Sequence, residues 1–435
     1  MKIQILILSL VSLVSMPPNS TAQISLSDSL TVEQAVRMTL GNHPAVQQAR
    51  QAESAAEARV GINRSPYYPD LSITGSFIRI GPVAAIDMPG GTMKLYPDNN
   101  YDLHLGLRQT LYDFGKTAAL VKVAKAGQES AMEYLELTKF NLAYQAIAVF
   151  DAILILHQNI AVLDEQIGAL NQHREVSAKK VQAGTATDFD VLTTSVRIAG
   201  AENEKIDVQT ALANQEILFR QLTGLSVDKL INLKGEFPDT DVTLNPDSLL
   251  DAVLKQRPEL ALALKTENIA GMQRQMASLG DRPSLAFNLT SGIKNGYVPD
   301  LNETKANYTA GLLMQIPLFN GRRTHYQYLE AEANLYAARA HSSDIQRQVI
   351  SEVEQAITGV RSSLEKIRTS EVQLSQAEEA LTMAKTRYEA GVITNLDLLD
   401  AQTTLSQAKL IRLRALYNYT VNLNILNKAT GKRAW

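Results

Sequence analysis

Four short stretches of this chain alternate apolar and polar residues. Leu71, Ile73 and Phe77 alternate with Ser72, Thr74 and Ser76, and Leu103, Leu105 and Leu107 alternate with Asp102, His104 and Gly106. Leu285, Phe287 and Leu289 alternate with Ala286, Asn288 and Thr290, and Leu312, Met314 and Ile316 supply a fourth set. A period of two predicts strands with one apolar face, over about 69–80, 101–112, 283–293 and 308–318. Alternating segments of about 10 residues suit the wall of a transmembrane barrel. Four strands cannot close one, since bacterial barrels begin at about 8 strands, and an open edge cannot face lipid. The strands therefore belong either to an ordinary soluble sheet or to a barrel shared between subunits.

Between and after these stretches the period changes. From Ala118 to Ala183 there is no proline, and Met132, Leu135, Leu142, Ala146, Val149, Ile153, Leu156, Ile160, Leu163, Ile167 and Leu170 recur at spacings of three, four and seven, with Lys139 interrupting. Ile350, Val353, Ile357, Val360, Leu364, Ile367, Leu374 and Leu381 continue the theme later. Such a seam predicts helices that pack as in a coiled coil, each on the order of 100 Å long at helical rise. Gly184 and Gly391 end them, as a left-handed cap requires, and Thr187 and Thr394 are placed to cap returning helices. The predicted hairpins span 118–222 and 324–430.

The chain is thus written twice. An offset of 207 carries Tyr101 onto Tyr308, Gly184 onto Gly391, Thr187 onto Thr394, Asp190 onto Asp397 and Thr223-Gly224 onto Thr430-Gly431. An offset of 214 carries Pro44 onto Pro258 and Pro69 onto Pro283. The change between residues 78 and 100 marks an insertion in a loop, where length varies at little cost. The expected organisation is a first repeat at 23–226, a linker at 227–244 and a second repeat at 245–435.

The remaining features narrow the class. Lys2, the apolar run Ile3–Val14, Pro17-Pro18 and Ser20-Thr21-Ala22 read as an export signal over 1–22,. No other long apolar run is evident, so helical membrane spans are not expected. The 435 residues contain no cysteine, which removes disulfides, thiolate metal sites and an N-terminal lipid anchor,. A net charge of -3 gives no electrostatic footprint for nucleic acid,. The six histidines stand in no metal-ligand spacing, and no nucleophile elbow is present, so no cofactor and no enzymatic activity are expected,.

RYEAGVITNLDLLDAQTTLSQAK at 387–409, YNYTVNLNILNKATG at 417–431, PLFNG at 317–321 and the duplication resemble the TolC-type outer-membrane efflux family along nearly all of the mature chain. The resemblance implies a mixed α and transmembrane-β fold, in which three subunits of four strands close a 12-stranded β-barrel continued by a long α-helical coiled-coil barrel. It implies a homotrimeric exit duct of a tripartite efflux or type I secretion system, lodged in outer-membrane lipid and joined by a periplasmic adaptor and an inner-membrane pump. A periplasmic coiled-coil adaptor is the alternative, although one hairpin would serve an adaptor.

The same resemblance assigns residues. Asp397 and Asp400 share a helix face and match aspartates that ring the periplasmic entrance; six carboxylates from three copies would favour cations,. Acidic residues also simply suit a helix N-terminus. Tyr388 and Asp190 match positions that link neighbouring helices and hold the entrance closed, but the third partner, an arginine, is Ile393 here. The turns at Gly184-Thr185 and Gly391-Val392 match adaptor-docking tips.

LYDFGKT at 111–117 ends like a phosphate loop, but the glycine that loop needs is replaced by Thr110,. Its partner is PLFNGRRT at 317–324. Tyr112 pairs with Phe319 and, with Phe114 taken as an extra residue, Gly115 pairs with Gly321. Both are expected to mark the joint between barrel and tunnel, with an aromatic at the membrane edge.

Overall fold

The structure, a computed structural model, describes residues 29–238, 253 and 256–435. The expected export signal lies outside the described residues, as does the latter part of the expected linker. In chain order the elements are α1 (Val32–Asn42), α2 (Pro44–Arg64), β1 (Asp70–Arg79), β2 (Ala85–Met88), β3 (Gly91–Lys94), β4 (Asn99–Tyr112), α3 (Lys116–Gln182), α4 (Asp188–Thr223), α5 (Pro258–Ala277), β5 (Ser284–Lys294), β6 (Lys305–Gln315), α6 (Arg323–Glu389) and α7 (Asn395–Ala429).

Four strands form one antiparallel sheet in the order β1-β4-β5-β6. The β4–β5 pair joins the two repeats, and β1 and β6 are left as edges. Register puts the alternating apolar residues on one face: Ile73 opposite Leu105, Phe77 opposite Tyr101, Leu107 opposite Leu289 and Phe287 opposite Leu312. The other face carries Thr74 opposite His104 and Gly106 opposite Thr290. The apolar face is bare, with Ile73 76% exposed. A two-sided sheet whose apolar side meets no protein among the described residues is what a lipid-facing wall requires. β2 and β3 make a separate hairpin in the β1–β4 connection; nothing in the alternation predicted it, and its turn rests on Gly90 and Gly91, both at positive φ,.

The helices follow the predicted seams. In the first repeat Leu135, Leu142, Val149 and Ile153 of α3 are buried with Ala49 of α2 and Phe219 of α4. In the second, Val349, Val353, Ile357 and Val360 of α6 pack with Ala415, Tyr419 and Leu426 of α7. Burying a side chain of this size contributes about 1.5–3 kcal/mol. Met132 departs from the pattern and is exposed; nothing in the structure explains it. α3 also corrects the expectation that no second long apolar run exists, because by length and composition it could cross a membrane. Its apolarity has another cause. Phe140, Ala143 and Ile147 face α1 while Leu142 and Val149 face α2 and α4, so the helix is buried on more than one side,.

α2 and α4 both pack along α3, and α5 and α7 both pack along α6. The junction in each column is tied across the break. Asn42 Nδ2 donates to the Thr223 carbonyl at 2.9 Å, and Arg257 Nη1 donates to the Ala429 carbonyl at 3.0 Å. These bonds satisfy carbonyls that a helix end otherwise leaves open.

Candidate functional site

The turn between α3 and α4 is built as a Schellman cap. Gly184 has φ 69°, and Thr185 N donates to the Lys180 carbonyl at 2.9 Å,. Thr187 then starts α4 with a capping box, donating from its amide and hydroxyl to the Asp190 carboxylate at 2.9 and 2.8 Å,. The second turn repeats each step. Gly391 has φ 71°, Val392 N donates to the Arg387 carbonyl at 2.9 Å, and Thr394 donates from amide and hydroxyl to Asp397 at 2.8 and 2.7 Å. Those bonds hold the Asp397 carboxyl below the usual range while leaving it exposed. Val392, at the second tip, is 72% exposed.

Polar contacts join the two hairpins just above these tips. His173 of α3 and Asn395 of α7 hydrogen-bond at 2.5 Å, and Asn395 Nδ2 donates to the Asp190 carbonyl at 3.2 Å. The Tyr388 ring packs edge-on to His173, with Lys180 Nζ 4.0 Å above its face,. Arg197 Nη2 of α4 donates to Asp400 Oδ1 of α7 at 2.9 Å. Beside that pair Leu170, Ile198 and Leu399 form a small buried cluster.

The sequence-derived residues are therefore placed unequally. Among the described residues Asp397 has no cationic partner, whereas Asp400 has one. Tyr388 reaches α3, but the Asp190 carboxylate is engaged by its own Thr187, and only its backbone carbonyl meets the other hairpin. Sequence reasoning passed over His173, Asn395 and Arg197. For Arg197 and Asp400 a trace existed: their equivalents in the other repeat are Thr404 and Thr193, so one charge pair departs from the duplication.

The joint at the other end of the helices corrects the pairing drawn from sequence. Positive φ occurs at Phe114 and Gly115 in one repeat and at Gly321 and Arg322 in the other. The helices begin at Lys116 and Arg323, so the offset of 207 holds and no residue is extra. Phe114 pairs with Gly321, and Gly115 with Arg322. Each joint needs two successive left-handed residues and has a glycine at only one of them; the other is strained by about 1–2 kcal/mol. Asp113 supports the first joint, accepting from the amides of Gly115 at 3.0 Å and Thr117 at 2.7 Å. Asp281 supports the second, accepting from the Thr324 hydroxyl at 2.6 Å and Asn320 Nδ2 at 2.8 Å. Tyr112 and Phe319 are exposed beside these turns.

The family profile described as outer membrane efflux protein matches residues 35–225 and 249–432. The chain belongs to the outer membrane efflux protein family. The two matched segments fall one on each repeat. Among its relatives, outer membrane protein TolC of Salmonella enteritidis is 24% identical over 92% of this chain and 82% of its own length. The alkaline protease secretion protein AprF of Pseudomonas aeruginosa is 23% identical over 88% of this chain and 80% of its own. The structure of the Campylobacter jejuni CmeC outer membrane channel superposes with a TM-score of 0.77 at 17% identity, covering 92% of this chain and 85% of that one. This member of the efflux protein family resides in the outer membrane of a Gram-negative bacterium and is an exit channel of the kind used in efflux and type I secretion. The adaptor alternative falls with that assignment.

Proposed function

We propose that three copies close a 12-stranded barrel and a hollow helical tunnel, and that this trimer is the passive duct for substrate handed over by an inner-membrane pump and a periplasmic adaptor. The observation that carries the reading is the sheet, whose four strands have one bare apolar face and two unpaired edges. Pairing β1 of one subunit with β6 of the next removes both edges, as lipid demands. The apolar face then meets outer-membrane lipid and the polar face lines water.

In this reading the chain is organised as two repeats, and the helical tips are the periplasmic entrance. Asp397 and Asp400 stand around the opening, where carboxylates favour cations. Tyr388 links the hairpins through its ring contacts with α3, and Asp190 contributes through its carbonyl and as a helix cap. The turns at Gly184-Thr185 and Gly391-Val392 are the adaptor-docking surface; an apolar side chain as open to water as Val392 supports a contact there,. Tyr112 and Phe319 sit at the membrane edge, with Gly115 and Gly321 bending the chain into the tunnel. The duct has no catalytic role; energy coupling belongs to its partners.

The test is direct. The purified protein should run as a heat-modifiable trimer, fractionate with the outer membrane and conduct ions across a planar bilayer. A monomeric, non-conducting protein recovered from the soluble periplasm would refute the proposal.

A further inference from the structure

The Arg197–Asp400 pair does more than decorate the surface. It joins α4 of one hairpin to α7 of the other at 2.9 Å. It is anchored from below, because Ile198 and Leu399, the sequence neighbours of the two charges, are packed together with Leu170 in a buried cluster. One helical turn nearer the tip, Asn395 adds its bonds to His173 and to the Asp190 carbonyl. Three contacts of different chemistry thus hold one hairpin to the other at the level of the proposed entrance. Ile393 is not among the residues that make them.

The charge balance changes with this pair. Among the described residues Asp397 meets only its own Thr394, so its negative charge faces solvent without a cation beside it. Asp400 shares its charge with the Arg197 guanidinium at 2.9 Å. Three copies then present three free carboxylates and three neutralised ones.

We propose that Arg197 is a gate- and selectivity-setting residue: by binding Asp400 it latches the two hairpins together and withdraws half of the aspartates from the charge that cations meet at the entrance. This rests on the proposed exit-duct reading. It assigns Arg197 two measurable effects that a merely decorative surface ion pair lacks. Losing the arginine loosens the latch, which raises resting conductance, and frees Asp400, which strengthens cation preference.

The experiment is single-channel recording of the purified full-length protein in planar bilayers under a KCl gradient, comparing the wild type with Arg197→Gln, Arg197→Lys, Arg197→Asp, Asp400→Arg and the double exchange Arg197→Asp with Asp400→Arg. Heat-modifiable mobility confirms assembly of each. Arg197→Gln and Arg197→Asp are expected to conduct several-fold better than the wild type at rest, with the reversal potential shifted toward that of potassium. Asp400→Arg should also conduct better at rest, with weaker cation preference. Arg197→Lys should stay near the wild type. The double exchange should return both quantities to wild-type values, because a pair of either polarity closes the latch and cancels itself. A conducting wild type with unchanged Arg197→Gln, or a double exchange no closer to wild type than its single variants, overturns the latch and leaves the exit duct standing. A wild type that forms no channel overturns both.

Discussion

Asn424 Nδ2 donates to the carboxylate of Asp151 at 2.8 Å, joining α7 to α3 beside a groove of about 400 Å³. Asp151 is only 7% exposed and has no cationic partner among the described residues. Burial pushes its carboxyl up to about 7, and the Asn424 bond only partly offsets this,. Tyr417, half-buried nearby, is pushed up by its own burial and then by Asp151. Lys428 lines the same groove.

The folded protein therefore holds this proton more tightly than the unfolded chain. Its contribution to stability is fully present below the ordinary aspartate range and is lost as pH rises through about 7,. Asp151→Asn should remove that dependence and raise stability above pH 7 by up to about 4 kcal/mol. Thermal unfolding of the detergent-solubilised protein between acid and mildly alkaline pH measures it. A variant that keeps the wild-type slope rules out Asp151 as its source.

At the proposed entrance, Asp397→Asn should weaken block by multivalent cations more than Asp400→Asn does, because among the described residues Asp397 has no cationic partner, whereas Asp400 is already paired with Arg197. Asparagine keeps an acceptor for Thr394, so the helix cap survives. Block by a trivalent cation reports the difference; equal block in the two variants would contradict it.

The second tip offers a clean test of docking. Gly391→Asp would confound contact with strain, since φ is 71° there,. Val392→Glu carries no such penalty. It is expected to abolish drug or protein export while the heat-modifiable trimer persists. Full export in that variant removes the tip from the docking surface.

The two sheet faces should respond in opposite ways. Ile73→Arg places a charge on the bare apolar face, where a midplane arginine costs about 2–4 kcal/mol. It should reduce the yield of assembled protein in the outer membrane. Thr74→Arg lies on the other face, opposite His104, and should leave assembly intact while altering conductance. Equal loss of assembly in both would remove the assignment of the apolar face to lipid and the other face to water.

Arg257 is 4% exposed and binds Glu259 at 3.0 Å, Glu352 at 2.7 Å and the Ala429 carbonyl at 3.0 Å. Arg257→Met keeps the bulk and removes the donors. A loss of roughly 2–3 kcal/mol is expected, since one charge-assisted bond network and a helix end are left open. Denaturant titration of the wild type and variant gives the value.

Much of the architecture was written in local periodicity. Leu71 with Ile73 and Val353 with Val360 lie at spacings that suit a strand and a helix, so the elements followed without any tertiary knowledge, while the shared barrel came from the family resemblance. The β2–β3 hairpin did not, because Ala85–Met88 and Gly91–Lys94 are too short to show a period. Matching glycine to glycine misled at the joint: backbone conformation is inherited by position, and Gly115 and Arg322 share a left-handed φ that their identities hide. His173, Asn395, Arg197 and Asp400 were illegible as a group for a different reason. Their contacts span 203 and 222 residues of sequence, and nothing local in a helix announces a partner that far away.

In the proposed trimeric barrel, the open edges of β1 and β6 also dictate an order of events in the cell. A single subunit has no state in which its strands can rest stably in lipid, so monomer insertion followed by lateral assembly is closed to it. Biogenesis must bring subunits together at or before insertion, and the yield of channel must rise faster than linearly with the supply of chain. A variant subunit with intact edges but a defective strand face would therefore poison its neighbours, making loss of function dominant.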